Sequence, residues 1–180
     1  MRRHHLHVAA ALLLVAGAAC EPALPTESPM TASSAARADR SPSVPFRLEL
    51  TGNANPDFSQ GPCNVTNTES GTGTAEHMGK VTWSSTEVAN FCVDPSNPAT
   101  AAVTGTMVIT AANGDQVTQS YLTTVNADFG AGTLTATGTY QVTGGTGRFS
   151  GATGGGTVDV SGSLAPPFGV SGTFAGEIAY

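Results

Sequence analysis

Positive charge is nearly missing from most of this chain. Between Phe46 and Tyr180 the only bases are Arg47, Lys80 and Arg148. Against them stand Glu49, Asp57, Glu69, Glu76, Glu87, Asp94, Asp115, Asp128, Asp159 and Glu177, so three bases less ten acids leave −7. Such a surface has no means of neutralising a phosphate backbone, which excludes nucleic acid and a polybasic membrane patch. Histidine is as scarce, with His77 alone beyond the first seven residues. One histidine, no Cys-x-x-Cys and scattered acids give no metal-ligand spacing, so neither a metal nor a cofactor is expected. A Gly-x-Ser-x-Gly elbow is missing too, which removes the usual strand-to-helix nucleophile. No stretch after Phe46 keeps apolar residues at helical spacing without a Gly or Pro interrupting it, so helices are not expected there.

Long apolar runs are also lacking. The longest, from Val8 to Val15, is far short of the ~20 residues of a membrane span. It follows Arg2 and Arg3 and precedes Gly17-Ala18-Ala19, the layout of a secretory signal peptide over residues 1–19. Cys20 comes directly after the small residues, as does the lipid-acceptor cysteine of bacterial lipoproteins, although Gly17 stands where those motifs carry a bulky aliphatic. The expected location is the cell envelope, with the membrane as a partner through this anchor. The alternative is ordinary cleavage and a soluble secreted or periplasmic form. Residues 20–45, rich in Pro, Ser, Thr and Ala, read as a flexible linker.

Cysteine is limited to Cys20, Cys63 and Cys92. An exported protein needs a reason for an odd thiol. If Cys20 carries lipid, Cys63 and Cys92 remain as one disulfide in an oxidising compartment.

What the module from Phe46 to Tyr180 does have is alternation with period two. Leu134, Ala136, Tyr140 and Val142 oppose Thr133, Thr135, Thr139 and Gln141, and Phe168, Val170, Phe174 and Ile178 share one parity at the end. This is the pattern of half-buried strands. Eight are predicted, near 46–51, 71–78, 80–86, 103–110, 116–125, 133–143, 155–164 and 169–179, with long connections over 52–70 and 87–102. Asn113-Gly114 between two such runs marks a tight hairpin, which also accounts for Asp115 without calcium. The fold class is therefore all-β: an eight-stranded antiparallel barrel, with a β-sandwich as the alternative. Phe46, Leu48, Leu50, Val81, Trp83, Met107, Ile109, Val117, Tyr121, Leu134, Tyr140, Phe168 and Phe174 are its expected inward face.

The segment "GGTGRFSGATGGG" (144–156) superficially resembles a dinucleotide loop. The glycines after Ser150 would not support the helix that such a loop must open, and no βαβ unit surrounds it. As a sheet element it bends one strand end, packs Arg148-Phe149 over the barrel mouth and admits close backbone approach through Gly154 to Gly156. The same segment resembles the Gly-Gly-Thr-Gly-x-Phe-x-x-Ala-x-Gly pattern of dirigent proteins, relatives of the allene-oxide-cyclase-like barrels. "GTAEHMGKVTW" and "TAANGDQV" resemble stretches of bacterial secreted proteins thought to share that barrel. The resemblance implies an eight-stranded barrel, oligomeric in many plant members. It brings no catalytic residue that matches a position here.

Two functions follow as expectations: a non-catalytic, envelope-tethered barrel binding a small hydrophobic ligand or a partner protein, or, as the resemblance implies, a cyclase- or dirigent-like enzyme on a lipid-like or phenolic substrate. Candidate mouth residues are Glu76, His77, Trp83, Tyr121, Tyr140 and Arg148. Adjacent strand residues face opposite ways, so Glu76 and His77 are not expected to act together.

Replacing Cys20 with Ala is expected to move the protein from the membrane fraction to the soluble one. A mature wild-type mass without lipid overturns the anchor.

Overall fold

The computed structural model describes residues 42–180. The expected signal peptide, Cys20 and residues 20–41 of the expected linker lie outside the described residues. Eight strands follow in order: β1 (Val44–Asp57), β2 (Asn64–Ala75), β3 (Gly79–Asn90), β4 (Thr100–Ala111), β5 (Gln116–Asp128), β6 (Thr133–Gly145), β7 (Thr153–Ser163) and β8 (Gly169–Ala179). Each pairs antiparallel with the next, and β1 pairs with β8 from Val44↔Ile178 to Asn53↔Gly169. The sheet is a closed up-and-down barrel and not a sandwich. Closure leaves no free edge among these strands, which removes the usual route to edge-to-edge aggregation.

Every second residue points inside. Phe46, Leu48, Val103, Ile109, Val117, Phe174 and Ile178 are almost wholly buried. Tyr140 and Phe174 meet edge-on at 5.6 Å, and Tyr121 and Phe174 at 6.1 Å, geometries that aromatic quadrupoles favour. Trp83 is buried with them, and its indole N–H donates to the Thr51 and Thr72 carbonyls at 3.2 and 3.3 Å. Gly52, paired with Gly71, leaves the room that the indole needs.

One end of the barrel is sealed. Between β6 and β7 a 3-10 turn over Gly147–Phe149 drives the Phe149 ring into the interior, where it is fully buried and lies 4.7 Å from Tyr180. Arg148 stays outside, stacked 4.8 Å over the Phe149 ring, 3.7 Å from the Asp115 carboxylate and donating to the His77 carbonyl. This end thus contains the turns 76–78 and 112–115 as well. Thr143 forms a bulge, since Thr118 pairs with Gly144 and Gln119 with Val142. Across β7 and β8, a Cβ at Gly156 would overlap the Ala175 carbonyl, so glycine there permits the close backbone approach.

Several strand limits differ from the alternation. Residues 52–57 and 64–70 are strand, as are 87–90, where long connections were expected. Their inward positions carry Gly52, Ala54, Pro56, Asn67, Glu69 and Glu87, which hide the apolar parity while leaving the backbone ladder intact. Strand β2 ends at Ala75, so Glu76, His77 and Met78 form a turn and not the end of a strand, with His77 at φ 64°. The barrel also starts at Val44, two residues early, because Val44 has Ile178 to pair with.

Cys63 and Cys92 form a disulfide with Cα atoms 5.1 Å apart. They join the start of β2 to the end of β3 just beyond the Asn64↔Asn90 pair, at the end opposite the Phe149 seal. The bridge therefore extends one hairpin and does not tie two long loops together. It spans 29 positions, for which chain-entropy reasoning gives about 3.5 kcal/mol of stabilisation. Replacing both cysteines with Ala is expected to lower the urea-unfolding free energy by about 2–4 kcal/mol. An unchanged midpoint in reductant would show that the hairpin holds itself.

Candidate functional site

Five polar side chains face inward where an apolar layer would be expected. Asn67 and Glu69 come from β2, Ser85 and Glu87 from β3, and Tyr121 from β5. Register brings them together: Asn67 lies opposite Glu87, and Glu69 opposite Ser85. The Asn67 amide donates to both carboxylates, at 3.0 Å to Glu69 Oε1 and 3.1 Å to Glu87 Oε1. Ser85 Oγ donates to Glu69 Oε2 at 3.1 Å, and the Tyr121 phenol donates to Glu87 Oε2 at 2.7 Å. That last bond crosses an entire strand. Glu87 pairs with Gly105 on β4, and Gly105 pairs in turn with Tyr121 on β5. A Cβ at Gly105 would run into the Tyr121 ring and hydroxyl, so only glycine leaves the corridor through which the phenol reaches Glu87.

The electrostatics follow from this crowding. Burial, and after it the neighbouring Glu87 charge, push the Glu69 carboxyl up to about 7, against the lowering effect of the Ser85 and Asn67 hydrogen bonds. Burial and the Glu87 carboxylate hold the Tyr121 phenol far above its ordinary range, so it remains a hydrogen-bond donor. Burial raises Tyr140 to about 12. Among the described residues the buried Tyr140 hydroxyl has no partner, nor do the buried Asn67 Oδ1 and Gln119 Oε1. Gln119 itself is fully buried, its amide donating to Met107 Sδ at 3.4 Å.

A cavity of about 180 Å³ lies beside the polar group. Leu50, Val65, Val103, Val125, Val158 and Phe174 are among its apolar walls, and Asn67, Glu69, Glu87 and Tyr121 form its polar side. It opens at the unsealed end, where Phe58, Phe91, Leu164 and Phe168 stand around the mouth. Among the described residues lining it there is no Lys, Arg or His.

The sequence-derived candidates divide between the two ends. Tyr121 lines the cavity. Trp83 and Tyr140 are core residues outside its lining. Glu76, His77 and Arg148 sit at the sealed end, where His77 Nε2 is 2.9 Å from the Pro45 carbonyl and its ring 5.9 Å from Tyr180. They take no part in the cavity. Sequence reasoning missed Asn67, Glu69 and Glu87, because a polar inward residue reads as loop, and it passed over Ser85 within a predicted strand because a lone serine carries no chemical signal. The usable signal was Glu69 and Glu87 occurring where the backbone could still pair. Among the described residues no three His, Cys, Asp or Glu side chains converge as metal ligands would. No family model, curated protein or solved structure matches this chain.

The raised Glu69 pKa has a consequence for stability. Between about 4.5 and about 7 the folded chain keeps a proton that the unfolded chain has released. Its stabilisation is thus complete at low pH and lost as pH rises through 7. Denaturant titrations are expected to show wild type losing about 2–3 kcal/mol across this window, with Glu69→Gln flattening the profile. An identical slope in both proteins would place the charge elsewhere.

Proposed function

We propose that the barrel binds a small, largely apolar molecule in the cavity at its open end. The observation that carries this reading is the cavity itself, walled by aliphatic and aromatic side chains, sealed at one end by Phe149 and open at the other. Small-molecule sites have this character: mostly apolar walls with few polar groups to fix orientation. Its 180 Å³ exceeds the ~150 Å³ of an engineered apolar cavity that accepts benzene, so a single ring with a short substituent fits the scale. The polar group is built on strands and not on loops, which keeps its geometry fixed during binding.

A second reading is supported by Glu69. A carboxyl that titrates near 7 beside a second carboxylate and a phenol is suited to proton transfer. In that reading the barrel is an acid–base enzyme for a lipid-like or phenolic substrate. A ligand recovered chemically unchanged after prolonged incubation favours the binding module.

Titration with 2-phenylethanol, followed by methyl NMR, tests the binding reading. Saturable shifts are expected at Val103, Val125 and Val158, and Ala136→Phe, which fills the cavity from its wall, is expected to abolish them. Shifts that never saturate, or that survive in Ala136→Phe, overturn it.

A further inference from the structure

The cavity contains an imbalance of charge. Two carboxylates face it, and every group that touches them is a neutral donor: one amide, one hydroxyl and one phenol. The bases among the described residues are all engaged or placed elsewhere. Arg47 lies outward on β1, 3.0 Å from Glu49, and Arg148 lies at the sealed end beside Asp115. Lys80 is exposed at the start of β3, and His77 occupies the turn just before it. Among the described residues no internal cation compensates Glu87.

A carboxylate beside apolar walls is costly unless it is paired. Each oxygen of Glu87 accepts a single hydrogen bond, which leaves lone pairs free. Asn67 Oδ1, on the residue that bridges the two acids, is a buried acceptor without a donor. The site therefore has a surplus of acceptors and negative charge, and a shortage of donors. A ligand that supplies several N–H donors and a positive charge corrects both.

We propose that the cavity selects a small organic amine, with the ammonium group at Glu87 and the ring or short aliphatic body against the apolar walls. This rests on the apolar-ligand reading above and specifies the chemical class of the ligand. Size agrees, since an arylalkylamine of one ring and a two-carbon arm is close to what the space admits. Charge agrees as well, because a primary amine is protonated at neutral pH, whereas a carboxylate of equal size meets like charge.

Three probes of similar size decide it on the intact protein at about pH 7.5, well below the pKa of a primary amine: 2-phenylethylamine, 2-phenylethanol and phenylacetate. The amine is expected to bind at least about tenfold more tightly than the alcohol, the scale of one charge-assisted hydrogen bond, with phenylacetate weakest. Glu87→Gln is expected to bring the amine-to-alcohol ratio near one. An amine that binds wild type no better than the alcohol overturns the inference but leaves the apolar cavity standing. A ratio that survives in Glu87→Gln overturns it too. If none of the three probes reaches the cavity methyls, the apolar-ligand reading fails and takes this one with it. Should Glu87→Gln not fold, the wild-type ratio alone still decides.

Discussion

The pairing of β1 with β8 is the constraint on which the rest depends. Seven strand pairings join neighbours in sequence, and any of them could exist in an open sheet. Only the register from Val44↔Ile178 to Asn53↔Gly169 turns the sheet back on itself. With closure, inside and outside become fixed for every strand at once, and a shift by one residue would expose a whole row of apolar side chains. Closure also sets the interior width, which at eight strands is either filled by side chains or left with space for one small ligand. This chain does both. Large aromatic and aliphatic residues fill the sealed half, and small or polar ones leave space in the other.

That division explains how much of the protein could be read from its sequence. Where the inward parity is apolar, as in Val81-x-Trp83 or Tyr140-x-Val142, strand, face and burial were all legible. Where the inward residues are Ala54, Pro56, Asn67 and Glu69, the alternation disappears and the segments read as loops. The backbone does not depend on the pattern, because a ladder already begun by Leu48, Leu50 and Val81 carries on through residues that give it no apolar support. The unreadable part is the candidate site itself, in keeping with the expectation that functional positions break local rules. Glu76 and His77, conspicuous as a pair in sequence, proved to be turn residues at the sealed end, with His77 beside Tyr180.

The Glu69–Glu87 arrangement is not explained by stability. Two apolar residues at those positions would fill space without the cost of burying charge. Keeping them has required three matched donors and a glycine on an intervening strand. Gly105 makes the point best: it contributes nothing to the cavity by contact, yet it determines whether Tyr121 can reach Glu87. Its value is the side chain it does not have.

The direction of β1 carries one more consequence. Strand β1 enters the barrel at Val44, beside Ile178 and therefore at the sealed end, and runs towards the mouth. Ser43, just before it, is held at the same end by its hydroxyl, which donates to the Glu177 carboxylate. The point where the strand ladder begins and the aperture ringed by Phe58 and Phe168 therefore lie at opposite ends of the barrel. The polarity of a single strand keeps the described N-terminal residues clear of the entrance.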